Sequence, residues 1–79
     1  MKNPTPINPD DALALDALER CRMNLRAAHI DAVTAAARLI GARHLRADEL
    51  AEKLADALAH VERLSFIVLG DLRADRAGK

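Results

Sequence analysis

Apolar residues recur along this chain at alternating spacings of three and four, and this repeat constrains the fold more than any other feature. In the first half, the repeat comprises Ala14, Leu18, Cys21, Leu25, Ala28, Ala32, Ala35 and Leu39. In the second half, it comprises Ala47, Leu50, Leu54, Ala57, Val61, Leu64 and Val68. Such a sustained heptad repeat predicts helices that pack along a coiled-coil seam. Small residues at alternate seam positions favour close packing at a crossing angle of about +20°.

Helix start and stop signals divide the chain into two helices. Asn8 suits an N-cap, Pro9 suits the first helical position, and Asp10 and Asp11 place negative charge in the first turn, where the helix dipole favours it. Gly41 suits the residue that follows a helix C-terminus. The predicted organisation is a disordered, proline-containing tail at 1–8, then a helical hairpin at 9–76 with helix 1 at about 9–40, a turn at 41–45 and helix 2 at about 46–72, and a loose C-terminus at 77–79.

The amino-acid composition favours the same fold class. The chain is 51% hydrophobic but only 1% aromatic, and its apolar content is mostly alanine and leucine, which are strong helix formers. Residues typical of strands are few. We therefore predict an all-α protein: an antiparallel two-helix hairpin, built as an alanine-rich coiled coil, that dimerises into a four-helix bundle.

The stretch SFIVL at 65–69 places large apolar side chains at consecutive positions, and no single helix face can bury them all. Together with apolar residues beside the seam, they form a second apolar set that a lone hairpin leaves in water. The predicted interface residues are Leu15, Ile30, Val33, Leu58, Phe66, Ile67, Leu69 and Leu72. We expect a homodimer, because two hairpins make a four-helix bundle. A different protein partner, or a lone hairpin with a folded-over C-terminus, is the alternative.

The charge of the chain gives it little global attraction for nucleic acid. Lysine plus arginine equals aspartate plus glutamate at 12 each, so the formal net charge is zero, whereas proteins that bind duplex DNA usually carry a basic surplus. Arg20, Arg22 and Arg26 on helix 1 form a possible contact for an anion or a nucleic acid. The alternative is that these arginines pair with acidic residues across the seam, as Arg26 with Glu62.

The sequence contains no recognisable pattern for catalysis or metal binding. His29, His44 and His60 are not spaced as pairs of metal ligands on either helix. Cys21 falls on the predicted seam, where a free cysteine packs as a small hydrophobic residue, and a single cysteine forms no internal disulfide. Neither a nucleophile–base pair nor a glycine-rich phosphate loop is present. We therefore expect no enzymatic activity, no cofactor and no metal.

The N-terminal segment lacks the apolar core of a signal peptide, and no apolar run approaches the ~18 residues of a membrane span. We therefore expect a cytoplasmic protein without membrane contacts. In architecture, the plan resembles small hairpin proteins that dimerise into four-helix bundles, such as the Rop-type plasmid copy-number regulators; the resemblance is one of shape and transfers no functional residue. We predict a protein-interaction module, meaning an adaptor, co-chaperone or inhibitor of a larger bacterial or phage-related protein. The alternative is a dimeric nucleic-acid-binding regulator.

Overall fold

The computed structural model describes residues 9–77, with side chains described up to residue 74. Two α-helices make up this part of the chain: α1 spans Pro9–Arg38 and α2 spans Ala42–Ala77. They pack against each other as a helical hairpin, and the described residues include no strand. At 1.5 Å per residue, the helices are about 45 and 54 Å long. The predicted all-α hairpin is confirmed, while the predicted tail at 1–8 lies outside the described residues.

The ends of α1 follow from the residues found there. Pro9 opens the helix, and Asp10 and Asp11 occupy its first turn, as predicted. At the other end, Gly41 has a backbone φ of +68°, the left-handed conformation that glycine adopts without steric cost. The carbonyl oxygen of Ala36 accepts two hydrogen bonds at this terminus, one of 3.3 Å from the N–H of Leu39 and one of 2.6 Å from Nδ1 of His44.

The turn between the helices is shorter than the sequence suggests. The helix α2 begins at Ala42, directly after Gly41, rather than near residue 46. It also continues through Gly70 to Ala77, past the predicted end near residue 72. Strong helix formers on both sides of each predicted boundary explain the difference, because one left-handed glycine is enough to reverse the chain direction.

The residues that face the partner helix form one heptad series on each helix. On α1, the half-buried and buried residues of the series are Asp11, Leu15, Leu18, Arg22, Leu25, His29, Ala32 and Ala36. On α2, they are Ala47, Ala51, Leu54, Leu58, Val61, Ser65, Val68 and Leu72. These residues form the seam of the hairpin.

Seven of the fifteen predicted seam residues lie in the seam, and most of the others are wrong by one residue. Ala28 and Ala57 are half-buried beside the seam, and Leu39 is exposed. Leu18, Leu25 and Ala32 face α2 as predicted. Between them, Leu15, Arg22 and Ala36 take the places predicted for Ala14, Cys21 and Ala35, which are exposed. On α2, Ala51, Leu58 and Ser65 likewise replace Leu50, Ala57 and Leu64. Since successive residues lie about 100° apart on a helix, the shift rotates each helix by roughly 50°.

The observed rotation exchanges three leucines of the predicted seam, Leu39, Leu50 and Leu64, for three others. It brings Leu15, Leu58 and Leu72 into the seam, where they are half-buried. In exchange, the seam accepts Arg22 and His29 at its edge, where their polar ends can reach solvent while their carbon atoms cover apolar surface. Cys21 is therefore an exposed residue and not a core residue.

The equal length of the two series fixes which residues lie opposite each other. With eight seam residues on each helix in antiparallel order, Ala36 lies opposite Ala47 beside the turn, and Asp11 lies opposite Leu72 at the open end. The same count places Arg22 opposite Val61. The pKa of Arg22 is raised mainly by its hydrogen bond with Glu19 and, to a smaller extent, by the charge of Glu62 next to Val61, in agreement with this register.

The buried core of the hairpin is small. Only Ala32, Ala36 and Ala51 are buried among the described residues, and all three lie in the half of the hairpin that adjoins the turn. The leucines and valines of the seam stay partly exposed. A pair of helices covers only one stripe on each member, so two-thirds or so of each helical surface faces outward.

Candidate functional site

Large apolar side chains cover much of the outer surface of the hairpin. Among the described residues, the exposed ones are Leu13, Met23, Ile30, Val33, Leu39, Ile40, Leu45, Leu50, Leu64, Phe66, Ile67 and Leu69. Scattered exposed apolar residues are normal on a protein surface, whereas a contiguous group marks an interaction site. The heptad positions of these residues show that most of them belong to two groups, one on each side of the seam.

We call the first group the arginine flank. In an antiparallel pair, residues that directly follow Leu18, Leu25 or Ala32 on α1 lie on the same side as their counterparts on α2. With the apolar residues next to them, they form a continuous surface. The arginine flank comprises Glu19, Arg22, Met23, Arg26, Ile30 and Val33 of α1 with Glu62, Phe66 and Leu69 of α2.

The arginine flank has apolar ends and a charged middle. Ile30 and Val33 lie toward the turn, and the Ile30 residue is 57% exposed. Phe66 and Leu69 lie toward the open end, and Phe66 is 78% exposed. By the seam register, Phe66 lies near the level of Leu18, so the two apolar ends are separated by about 18 Å along the helix axis.

An ion pair on α1 dominates the charged middle. Arg22 donates two hydrogen bonds to the carboxylate of Glu19: Nε to Oε1 at 3.0 Å, and a terminal nitrogen to Oε2 at 2.7 Å. This bidentate contact lowers the pKa of Glu19 and raises the pKa of Arg22. The guanidinium of Arg22 is therefore already neutralised by a residue of its own helix.

The three arginines predicted as an anion contact differ in whether an acidic side chain neutralises them. Arg20 lies 3.5 Å from the carboxylate of Asp16, and Arg22 is paired with Glu19 as described. Arg26 is exposed and makes no ion pair among the described residues, so the predicted pair with Glu62 does not form. Of these three guanidinium groups, only that of Arg26 is left available for a negatively charged partner group.

A shallow depression lies on α1 within this surface. Its volume is about 290 Å³, and its lining residues are Arg22, Met23, Arg26, Ala27 and Ile30. It is open to solvent and mostly apolar. Apolar walls with one unpaired guanidinium at the edge suit an apolar side chain that has a carboxylate nearby.

We call the second group the alanine flank. The residues that directly precede Leu15, Arg22, His29 and Ala36 on α1 lie on the other side of the seam, as do their counterparts on α2. The alanine flank comprises Ala14, Cys21, Ala28 and Ala35 of α1 with Leu50, Ala57 and Leu64 of α2. These seven residues are uncharged, whereas the residue that precedes Leu72 at the open end of the same flank is the exposed Asp71. Its α1 side is made of small residues, whereas Leu50 is 52% exposed and Leu64 is 40% exposed.

The predicted interface residues fall into two sets in the structure. Ile30, Val33, Phe66, Ile67 and Leu69 are exposed and available to a partner. The other three are half-buried within the seam of the hairpin itself: Leu15, Leu58 and Leu72. Leu50 and Leu64 lie on the surface, although the predicted rotation of α2 placed both in the seam.

The remaining candidate residues are dispersed. His29 is half-buried in the seam, His44 closes the turn, and His60 is exposed on α2. Within the described part of the chain, no three or more histidine, cysteine, aspartate or glutamate residues come together as a metal site would require. The three histidines therefore lie apart and do not form a common site.

Comparison with models of protein families, with curated proteins and with solved structures found no match. Neither helix, over the residues described, has a stretch long and apolar enough to cross a membrane.

Proposed function

We propose that this chain is a protein-interaction module, an adaptor, co-chaperone or inhibitor that binds a larger protein through the arginine flank. One observation carries the proposal: the hairpin buries three alanines, while Phe66, Ile30 and other large apolar residues are exposed. Burying one such side chain fully is worth about 1.5–3 kcal/mol. A partner that covers several of them therefore gains a large apolar contribution to its affinity.

The arginine flank also suggests the chemistry of the partner. Its apolar ends are about 18 Å apart, a distance that a helix of roughly twelve residues spans at 1.5 Å per residue. The unpaired guanidinium of Arg26 lies between these ends. An amphipathic helix that carries apolar anchors at both ends and an acidic residue near the middle would match the surface.

Site-specific photo-crosslinking tests the proposal in an extract of the producing cells. A photoreactive residue at Phe66 or Ile30 is expected to give the same discrete adduct, which mass spectrometry identifies. Leu13 is the matched control, because it is equally apolar and exposed but lies on the outer face of α1, away from both flanks. Equal adducts from all three positions would count against a defined site.

Binding of the identified protein is then measured with purified components. Truncating an interface anchor, or replacing it with a charged residue, typically weakens the binding free energy by about 2 kcal/mol or more. This corresponds to about a thirtyfold loss of affinity. We expect Ile30→Asp and Phe66→Asp each to weaken binding by about that factor, with Leu13→Asp close to wild type. Unchanged affinity in both flank variants would refute the proposal.

A further inference from the structure

We propose that the alanine flank binds a second copy of this chain, with α1 of each copy packed on α2 of the other and both turns at the same end of the dimer. This surface lies on the opposite side of the seam from the arginine flank, so the inference does not rest on the proposed function. The interface is related by a two-fold axis parallel to the helices, and each copy contributes the same residues.

The exposed area of the elongated hairpin is large enough for an interface with a second copy. The chain exposes 6430 Å² at a mass of 8.6 kDa. A compact monomer of this mass exposes about 4,700 Å² by the usual scaling of surface with mass. The difference exceeds the roughly 800 Å² that each partner buries in an interface of standard size. The alanine flank, which is uncharged apart from Asp71 at its open end, supplies area of the right kind.

The sizes of the residues favour the same-end arrangement. On each hairpin, Cys21 lies near the level of Leu64, and Ala35 lies near the level of Leu50. A two-fold axis along the helices places small residues of one copy against leucines of the other, so that large side chains fill the space left by small ones. With the turns at opposite ends, α1 would instead face α1, small residue against small residue, and α2 would face α2.

The residues at the outer edges of the alanine flank favour the same choice. In the same-end arrangement, Asp31 comes near Lys53 of the second copy, which also pairs with Glu49 of its own helix at 3.7 Å. Ala17 comes near Ile67 of the second copy and covers an apolar side chain that the hairpin leaves half exposed. With the turns at opposite ends, Lys53 would instead approach His60 of the second copy, with no acidic residue between them.

Two contacts in this arrangement are unfavourable. At the open end, the carboxylate of Asp71 would face Ala14 of the second copy. Near the turn, Arg38 would approach Arg46 of the second copy. Both side chains are exposed at the end of the dimer, where solvent and salt screen the repulsion. The consecutive apolar residues of SFIVL are then accounted for: Phe66 and Leu69 face the arginine flank, Val68 lies in the seam, and Ile67 borders the alanine flank.

The mass in solution, measured by light scattering across a dilution series, tests the dimer. Wild type is expected at about twice 8.6 kDa in the micromolar range. Leu64→Asp should be monomeric at the same concentrations, and the milder Leu64→Ala should raise the dissociation constant of the dimer at least tenfold. Leu13→Asp and Phe66→Asp should remain dimeric, with helical content checked by circular dichroism. A monomeric wild type, or a dimer that only Phe66→Asp disrupts, would overturn the proposal.

Disulfide cross-linking between two different variants tests the arrangement. In a Cys21→Ser background, a chain with Ala17→Cys is mixed with a chain carrying Ile67→Cys and treated with diamide, which oxidises two thiols to a disulfide. The same-end dimer should give a mixed cross-link. The matched control pair combines Ala17→Cys with Arg38→Cys, which approach each other only when the turns lie at opposite ends. Cross-linking of the control pair alone, or of neither pair, would rule out the same-end dimer.

Discussion

Gly41 and Gly70 occupy different backbone conformations, and the difference determines what an alanine would do at each position. Gly41 has a φ of +68°, and Gly70 lies inside α2 with a helical backbone. An added β-carbon meets no other atom within 4 Å at either position. The effect of an alanine therefore depends on the backbone conformation at both positions and not on steric clashes.

We expect opposite effects from the two glycine substitutions. Gly70→Ala should stabilise the hairpin by about 0.5–1 kcal/mol, because alanine loses less conformational entropy than glycine inside a helix. Gly41→Ala should destabilise it by about 1–2 kcal/mol, the cost of a left-handed conformation for a residue with a β-carbon. Chemical denaturation of both variants beside wild type measures the two free energies of unfolding. A stabilising Gly41→Ala would show that the turn does not require the left-handed conformation.

Arg22 shows what the sequence could not indicate about single residues. The pattern of apolar positions predicts a small apolar residue at each second place in the seam, and an arginine there contradicts it. The structure resolves the conflict by pairing the guanidinium with Glu19, so that only the carbon chain of Arg22 borders the seam. The sequence spacing of three between the two residues permits this pair but does not distinguish it from a pair across the seam.

At the scale of the helices, the sequence predicted the element types but not their rotation. Two long uninterrupted segments around Gly41 sufficed to predict two helices and the turn. The rotation was ambiguous because Ala14 precedes Leu15, Ala28 precedes His29 and Ala57 precedes Leu58, so both heptad phases contain apolar residues. Both phases place six leucines in the seam, so the leucine content of the sequence does not distinguish them. Because the rotation of α2 was wrong, Leu50 and Leu64 were predicted to lie in the seam and not on the surface.

Two leucines on α2 distinguish the two rotations. Leu58 lies in the seam, so Leu58→Ala should lower the free energy of unfolding by about 1–3 kcal/mol at every protein concentration. Leu64 lies on the alanine flank, so Leu64→Ala should act only where the wild type is dimeric. Thermal unfolding of both variants over a hundredfold range of concentration separates the effects. A concentration-independent loss for Leu64→Ala alone would favour the rotation expected from the sequence.

At the scale of the whole molecule, charge separates the two candidate functions. The formal net charge is zero, and the acidic residues of α1 neutralise two of the three arginines proposed for a nucleic-acid contact. Binding to nucleic acid through phosphates needs several unpaired basic groups that displace counterions. In a dimer, Arg26 is the only one of these three arginines in each copy that no acidic residue neutralises.

We therefore expect no appreciable affinity for nucleic acid. Fluorescence anisotropy with labelled duplex DNA and RNA should give dissociation constants no tighter than about 10⁻⁴ M at physiological salt, the weak end of non-specific binding. Arg26→Gln should not alter the result. Micromolar or tighter binding that weakens steeply as salt is raised, and that Arg26→Gln reduces, would instead support the nucleic-acid-binding regulator.

The placement of the three buried alanines implies that the two ends of the hairpin differ in how readily they open. Ala32, Ala36 and Ala51 all adjoin the turn, whereas the seam beyond Leu18 has no fully buried residue. Backbone amides near the turn should therefore exchange their hydrogens with solvent most slowly, and protection should fall steadily toward Pro9 and Ala77. The hairpin would fray from its open end, and binding there would act by suppressing local unfolding.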